Sequence, residues 1–139
     1  MYKRILVAND GSESGFKAFA AALELAGSSG AELAMICVGE LPYVPASIDE
    51  VVEQEEEEKR RHAPAIERAR KLAAEKGVAL AIHELEGHPV KRVVEFVDSN
   101  GVDLLVVGFH GHSAAYERLI GGTADRLVRL AHCAVLVVK

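Results

Sequence analysis

The chain has 139 residues, half of them hydrophobic and 27% charged, with a formal net charge of -5. That length and balance fit one globular domain with a core of its own, needing no disulfide or metal staple. The acidic balance excludes broad nucleic-acid binding, which rests on Lys and Arg contacting phosphates, and no apolar run approaches the roughly 20 residues that span a bilayer.

The first segment, MYKRILVAND, carries a basic pair and a short β-branched run, without the long apolar stretch and cleavage site of a signal peptide. A cytoplasmic protein is the expectation. Residues 3–9 read as a buried strand because their apolar residues are continuous rather than alternating. DGSESG then makes a turn, and Ser12 or Ser14 caps a helix carrying Phe16, Phe19, Ala20, Leu23 and Ala26 on one face. The GSSG stretch around Gly27 to Gly30 stops that helix. ELAMICV (32–38) predicts a second strand, and residues 39–50, with Gly39, Pro42 and Pro45, read as a loop.

Further on, Ala65, Ile66, Ala69, Leu72 and Ala73 fall at helical spacing, so a helix covers at least 65–76. The acidic run EQEEEEKRR (53–61) extends it as a solvated face, with Pro64 either starting a helix or kinking one. VALAIHEL (78–85) predicts a third strand. A helix begins near Pro89, turns Val90, Val93, Val94 and Val97 inward and closes at Asn100-Gly101. DLLVVG (103–108) and AVLVV (134–138) complete five strands, with Leu127, Val128, Leu130 and Ala131 marking an amphipathic helix between the last two.

Strands alternating with helices imply an α/β fold: a parallel sheet covered on both faces, here a doubly wound five-stranded domain over residues 1–139. Ligands of such sheets bind outside the carboxyl ends of the strands, where the winding reverses. Two turns at that edge stand out, NDGS after the first strand and GFHGHS after the fourth.

Four glycines, Gly108, Gly111, Gly121 and Gly122, fall within fifteen residues of one another. Gly121 and Gly122 precede a helix starting near Thr123. A helix N-terminus has unpaired N–H groups and a partial positive charge, and glycine lets an anion approach the backbone closely. The four glycines and the Thr123 hydroxyl therefore make a phosphate cradle one reading; a strand end and a tight turn before a helix are the other. The stretch is no Walker loop, for no lysine occurs between Lys91 and Lys139.

The pattern Gly108-FH-Gly111-HSAAYERLI-Gly121-Gly122 resembles the Gly-x2-Gly-x9-Gly nucleotide motif of the universal stress protein family. The likeness extends through the chain, in ILVANDGSESG, EGHPVKRVVEF, GVDLLVVGFHGHS and HCAVLVVK. It implies strand order 3-2-1-4-5 and ATP as ligand, with or without Mg2+. Carried onto this sequence, Ala8, Asn9 and Asp10 would meet the ribose or adenine side, and the Val38 backbone would read the adenine edge. Val107, Gly108, His110 and Gly111 would hug the ribose and phosphates, and Gly121, Gly122 and Thr123 would hold the phosphate tail. The resemblance also implies a homodimer through strand 5, Ala134 to Val138, and a regulatory switch with a protein partner of unspecified identity. Gly122 departs from the family's usual Ser or Thr, and Ala134 from its frequent proline.

The remaining candidates are weaker. His110 and His112 could bind zinc or nickel, but no third ligand is evident. His83, alternating within strand 3, is expected to be exposed or hydrogen-bonded. His132 and Cys133 are adjacent at a helix end and make a poor nucleophile dyad. In the 3-2-1-4-5 order Cys37 and Cys133 lie about three strand spacings, ~14 Å, apart, too far for a disulfide. Asp10 and Asp125 are possible acidic contacts, yet no general base is visible and no dedicated catalytic activity is expected beyond slow ATP hydrolysis. Two alternatives stand beside the ATP-binding switch: a dimerisation or partner module without nucleotide, and, ranked lower, an adenylating or ATP-hydrolysing enzyme.

Overall fold

The computed structural model describes residues 1–39, 47–110 and 122–139. The continuous apolar run near the N-terminus forms β1 (Arg4–Ala8), the middle strand of five. It is followed by α1 (Glu13–Ser29), β2 (Glu32–Gly39), α2 (Ile48–Glu75), β3 (Leu80–Glu86), α3 (Pro89–Asn100), β4 (Leu104–Gly108), α4 (Gly122–Leu130) and β5 (Ala134–Val138). The strand order is 3-2-1-4-5, as expected, and all four pairings are parallel. In register, Val7 lies opposite Met35 on one side and Val106 on the other.

Period-two alternation splits the central strands between two cores. Ile5, Val7, Met35, Cys37 and Val106 pack with α1 and α2; Leu6, Ile36, Leu105 and Val107 pack with α3 and α4. Each strand is thus buried on both faces, which is why its sequence reads as an unbroken apolar run. The first two crossovers cover one face and the last two the other, so the winding reverses between β1 and β4. No helix of the described residues is long and apolar enough to cross a membrane.

Helix ends follow local chemistry. Ser12 is the α1 N-cap, its hydroxyl oxygen accepting from the Gly15 N–H. Gly30 and Gly101 end α1 and α3 in the left-handed conformation, with φ of 71° and 63°. Pro89 opens α3.

Three sequence expectations need revision, and the alternative left open at Pro64 is decided. The α2 helix begins at Ile48, capped by Ser47, so the last residues of the expected 39–50 loop are helical; residues 40–46 lie outside the described ones. Pro64 does not start a helix but sits inside α2 at an exposed position, where water can reach the Arg60 carbonyl that proline leaves without its usual donor. On α1, Ala18 and Ala22 are buried and Ala20 is exposed. On α4 the inward residues are Ala124 and Leu127, whereas Val128 and Leu130 are 46% and 48% exposed.

Candidate functional site

A crevice of about 230 Å³ opens at the carboxyl ends of β1, β2 and β4, where the winding reverses. Its floor starts at the β1 turn. Ala8, Asn9 and Asp10 all line it, and Asn9 is buried, 2% exposed. The Asn9 N–H donates to the Ile36 carbonyl (3.1 Å), continuing the β1–β2 ladder one residue past the strand. Its side-chain oxygen accepts from the Gly11 N–H (2.9 Å). The Asp10 carboxylate accepts from the N–H of Ser12 (3.0 Å) and from its hydroxyl. NDGS is thus a chain of Asx-type side-chain-to-backbone bonds that turns β1 into α1. Gly11, at φ 84°, supplies the left-handed residue. Gly15 completes the turn: a Cβ there would strike the Asn9 side-chain oxygen and approach the Asp10 oxygen to 2.9 Å.

The second turn is tied to the first. A Cβ on Gly108 would lie 2.6 Å from the Ser14 carbonyl oxygen, so the absent side chain lets the start of α1 press against the end of β4. The Ser14 hydroxyl, the other cap candidate, instead accepts from the His110 N–H (3.0 Å). The Phe109 N–H donates to the Val138 carbonyl (2.8 Å), extending the β4–β5 ladder. Val107, Gly108 and His110 line the crevice; Gly111 and Gly121 lie outside the described residues, as does His112. Gly122 is the first residue of α4, and a Cβ there would meet none of the described residues within 4 Å. Thr123 follows it on the crevice wall.

The cavity is two-sided. Ile36, Val38, Pro89, Val93, Val107 and Leu127 give it an apolar wall continuous with the α3–α4 core. Asn9, Asp10, Glu58, Arg61 and His62 give it a polar wall facing α2. The structure therefore brings Ala8, Asn9, Asp10, Val38, Val107, Gly108, His110 and Thr123 to one cavity.

The α2 contribution escaped the sequence reading. Glu58, Arg61 and His62 precede Ala65 at i, i+3, i+4 and i+7, and Ala65 is in van der Waals range of a Gly11 Cβ at 3.4 Å. Continuing the Ala65–Ala69–Ala73 stripe backwards by one and two turns lands on this face, a signal hidden by the charge of EQEEEEKRR. Glu58 is held near Gly39, 3.2 Å from where a Cβ would be, and pairs with Arg61 at 3.3 Å.

The other titratable candidates stand apart. His132 Nδ1 lies 3.1 Å from the Asp98 carboxylate, and the His83 ring packs on Phe96 at 4.7 Å. Asp125 pairs with Arg129 on the α4 surface. Cys37, on β2, and Cys133, just before β5, are both free thiols, with β1 and β4 between those strands, and they pack into different cores. Burial, then the charges of Glu84 and Asp10, push the Cys37 thiol up to about 12. Burial also raises Cys133. Among the described residues no group of three His, Cys, Asp or Glu side chains is placed to hold a metal ion.

Compared with known proteins, residues 1–139 match the model of the universal stress protein family. Universal stress protein MJ0531 of Methanocaldococcus jannaschii is 35% identical, over all of this chain and 83% of its own length. Universal stress protein YxiE of Bacillus subtilis is 34% identical over the full length of both. Among solved structures, UspA from Lactobacillus plantarum superposes with a TM-score of 0.87 at 23% identity, covering 99% of this chain and 98% of that one. A universal stress protein in complex with cAMP gives 0.77 at 26% identity, covering 99% and 97%.

Proposed function

We propose that this chain, which belongs to the universal stress protein family, binds an adenine nucleotide in the crevice between β1 and β4 and works as a stress-response switch. The observation that carries this reading is the two-sided cavity. A planar base suits the apolar wall of Val38, Pro89, Val93 and Leu127, and the polar groups of the β1 turn suit a sugar. The N-terminus of α4, with Thr123 in its first turn, suits phosphate. The cAMP complex of a similar chain supports an adenine nucleotide as the ligand class.

Within that class the proposal is ATP, with Mg2+ held by its phosphates, bound by a cytoplasmic homodimer that pairs through β5. The nucleotide state would alter the surface offered to a protein partner. Asp10 already accepts two hydrogen bonds from Ser12, and we assign it to positioning rather than to proton transfer. No dedicated catalysis is proposed.

A second reading, a partner module without nucleotide, is favoured by one observation. Packing on Ser14 is enough to account for Gly108, and Gly122 offers no hydroxyl to a phosphate. The two readings separate on purified protein. Denaturation followed by chromatography and mass spectrometry identifies any nucleotide carried through purification, and a melting series with ATP, ADP, AMP and cAMP measures linkage. The nucleotide reading predicts bound nucleotide, or stabilisation that rises with ligand to about 2.7 kcal/mol at a hundredfold excess over Kd. An empty protein with no shift in any series supports the module.

A further inference from the structure

His62 is a buried side chain that nothing above employs. It sits on α2, lines the crevice and is only 9% exposed. Among the described residues its ring makes no hydrogen bond or ion pair. Its ring nitrogens stay within reach of the crevice, so the ring can bond a group that arrives with a ligand.

The surroundings decide which group. Asp10 and Glu58 stand on the same polar wall, and the one guanidinium there among the described residues, Arg61, is paired with Glu58 at 3.3 Å. Among the described residues the other titratable group of the cavity is His110, contributed from the β4 turn. Among the described residues, two carboxylates against a single paired cation disfavour a phosphate on this wall. Phosphate is better served across the cavity, at the N-terminus of α4 on the far side of β4. The base is better served by the apolar wall. What remains for the α2 wall is a neutral, hydroxylated group. A neutral imidazole donates from one nitrogen and accepts at the other, which matches a hydroxyl.

Resting on the nucleotide reading above, we propose that His62 is a specificity-determining residue that hydrogen-bonds a ribose hydroxyl and makes the crevice prefer ribonucleotides to deoxyribonucleotides. The α2 helix thereby serves as the sugar-reading wall of the site, with His62 one turn before Ala65, whose Cβ lies 3.4 Å from where a Gly11 Cβ would be.

The test is a set of dissociation constants, by calorimetry, for ATP, 2′-deoxy-ATP and 3′-deoxy-ATP. Wild type is compared with His62→Phe, which fills the space without hydrogen bonding, and with His62→Gln, which restores a donor and an acceptor. If the phenylalanine variant does not fold, His62→Leu serves the same comparison. Wild type is expected to bind ATP about tenfold more tightly than at least one deoxy analogue, the effect of one well-made hydrogen bond. In His62→Phe that ratio should fall to within about twofold of unity through loss of ATP affinity alone, and His62→Gln should recover most of it. Equal weakening of all three ligands would mark a structural role and overturn the inference, as would a wild type that does not discriminate. A wild type that binds none of the three removes the nucleotide reading itself, and the assignment falls with it.

Discussion

Gly108 and Gly122 share a residue type and differ in what a side chain would meet. At Gly108 a Cβ runs into Ser14 backbone, which α1 cannot withdraw without leaving β4. Gly108→Ala is expected to destabilise by about 1–3 kcal/mol, the usual cost of overpacking, readable as a lower urea midpoint. At Gly122, the first residue of α4, a Cβ would meet none of the described residues within 4 Å. Gly122→Ala should therefore be neutral or stabilising by up to about 1 kcal/mol in the same assay. Gly122→Ser adds a hydroxyl at the α4 N-terminus and, on the nucleotide reading, should raise ATP affinity about two- to tenfold. Unchanged affinity would place the phosphates elsewhere. Cys37 offers a separate check. With its thiol pushed up to about 12 by burial, it is neutral at pH 8, and the thiolate is the reactive form. Native protein should leave Cys37 unlabelled by a disulfide reagent over minutes and expose it on denaturation, as followed by mass spectrometry.

At the scale of elements, the loop that brings the chain into β4 is locked to β1 by charge. The Asp103 carboxylate accepts from the N–H groups of Lys3 (2.8 Å) and Arg4 (2.9 Å), which hold it below its ordinary range. A depressed folded value means that the carboxylate stabilises the protein above its unfolded value, and that this is lost as pH falls through the folded one. Asp103→Asn should therefore lower stability near neutrality and flatten its decline between about pH 5 and 2, seen in denaturant midpoints across that window. Elements with one dominant signal were legible in the sequence. The apolar runs gave all five strands, and glycine gave the ends of α1 and α3. The start of α2 was not legible, because its first four turns bury little apolar surface and their charged residues read as solvent-facing. Yet that segment supplies Glu58, Arg61 and His62 to the cavity, so the polar wall was hidden where half of the site reading could have been completed. The NDGS turn was visible as a turn, whereas the division of labour between Ser12, capping α1, and Ser14, bonding the β4 turn, needed coordinates.

For the whole molecule, the two sheet edges differ. β3 carries His83, Glu84 and Glu86 along its edge, charges of the kind that discourage pairing. β5 reads AVLVV, has no charge, and exposes Leu136 to 37%. The neighbouring α4 surface exposes Val128 and Leu130. An apolar, uncharged edge beside two exposed aliphatics is the physical argument for the proposed pairing through β5. Leu136→Lys should shift a dimer to monomer in light scattering after gel filtration, with circular dichroism unchanged. A variant that stays dimeric would move the interface elsewhere.

The central claim is that adenine nucleotide occupies the crevice where the winding reverses. Amide hydrogen exchange, compared with and without saturating ATP, tests it most directly. The account predicts new protection in residues 8–15, 36–39, 58–65, 89–93, 107–110 and 122–127, the described segments that line the cavity, and little change along β5 or the outer face of α1. Protection confined to other segments, or none at saturating nucleotide, would contradict it.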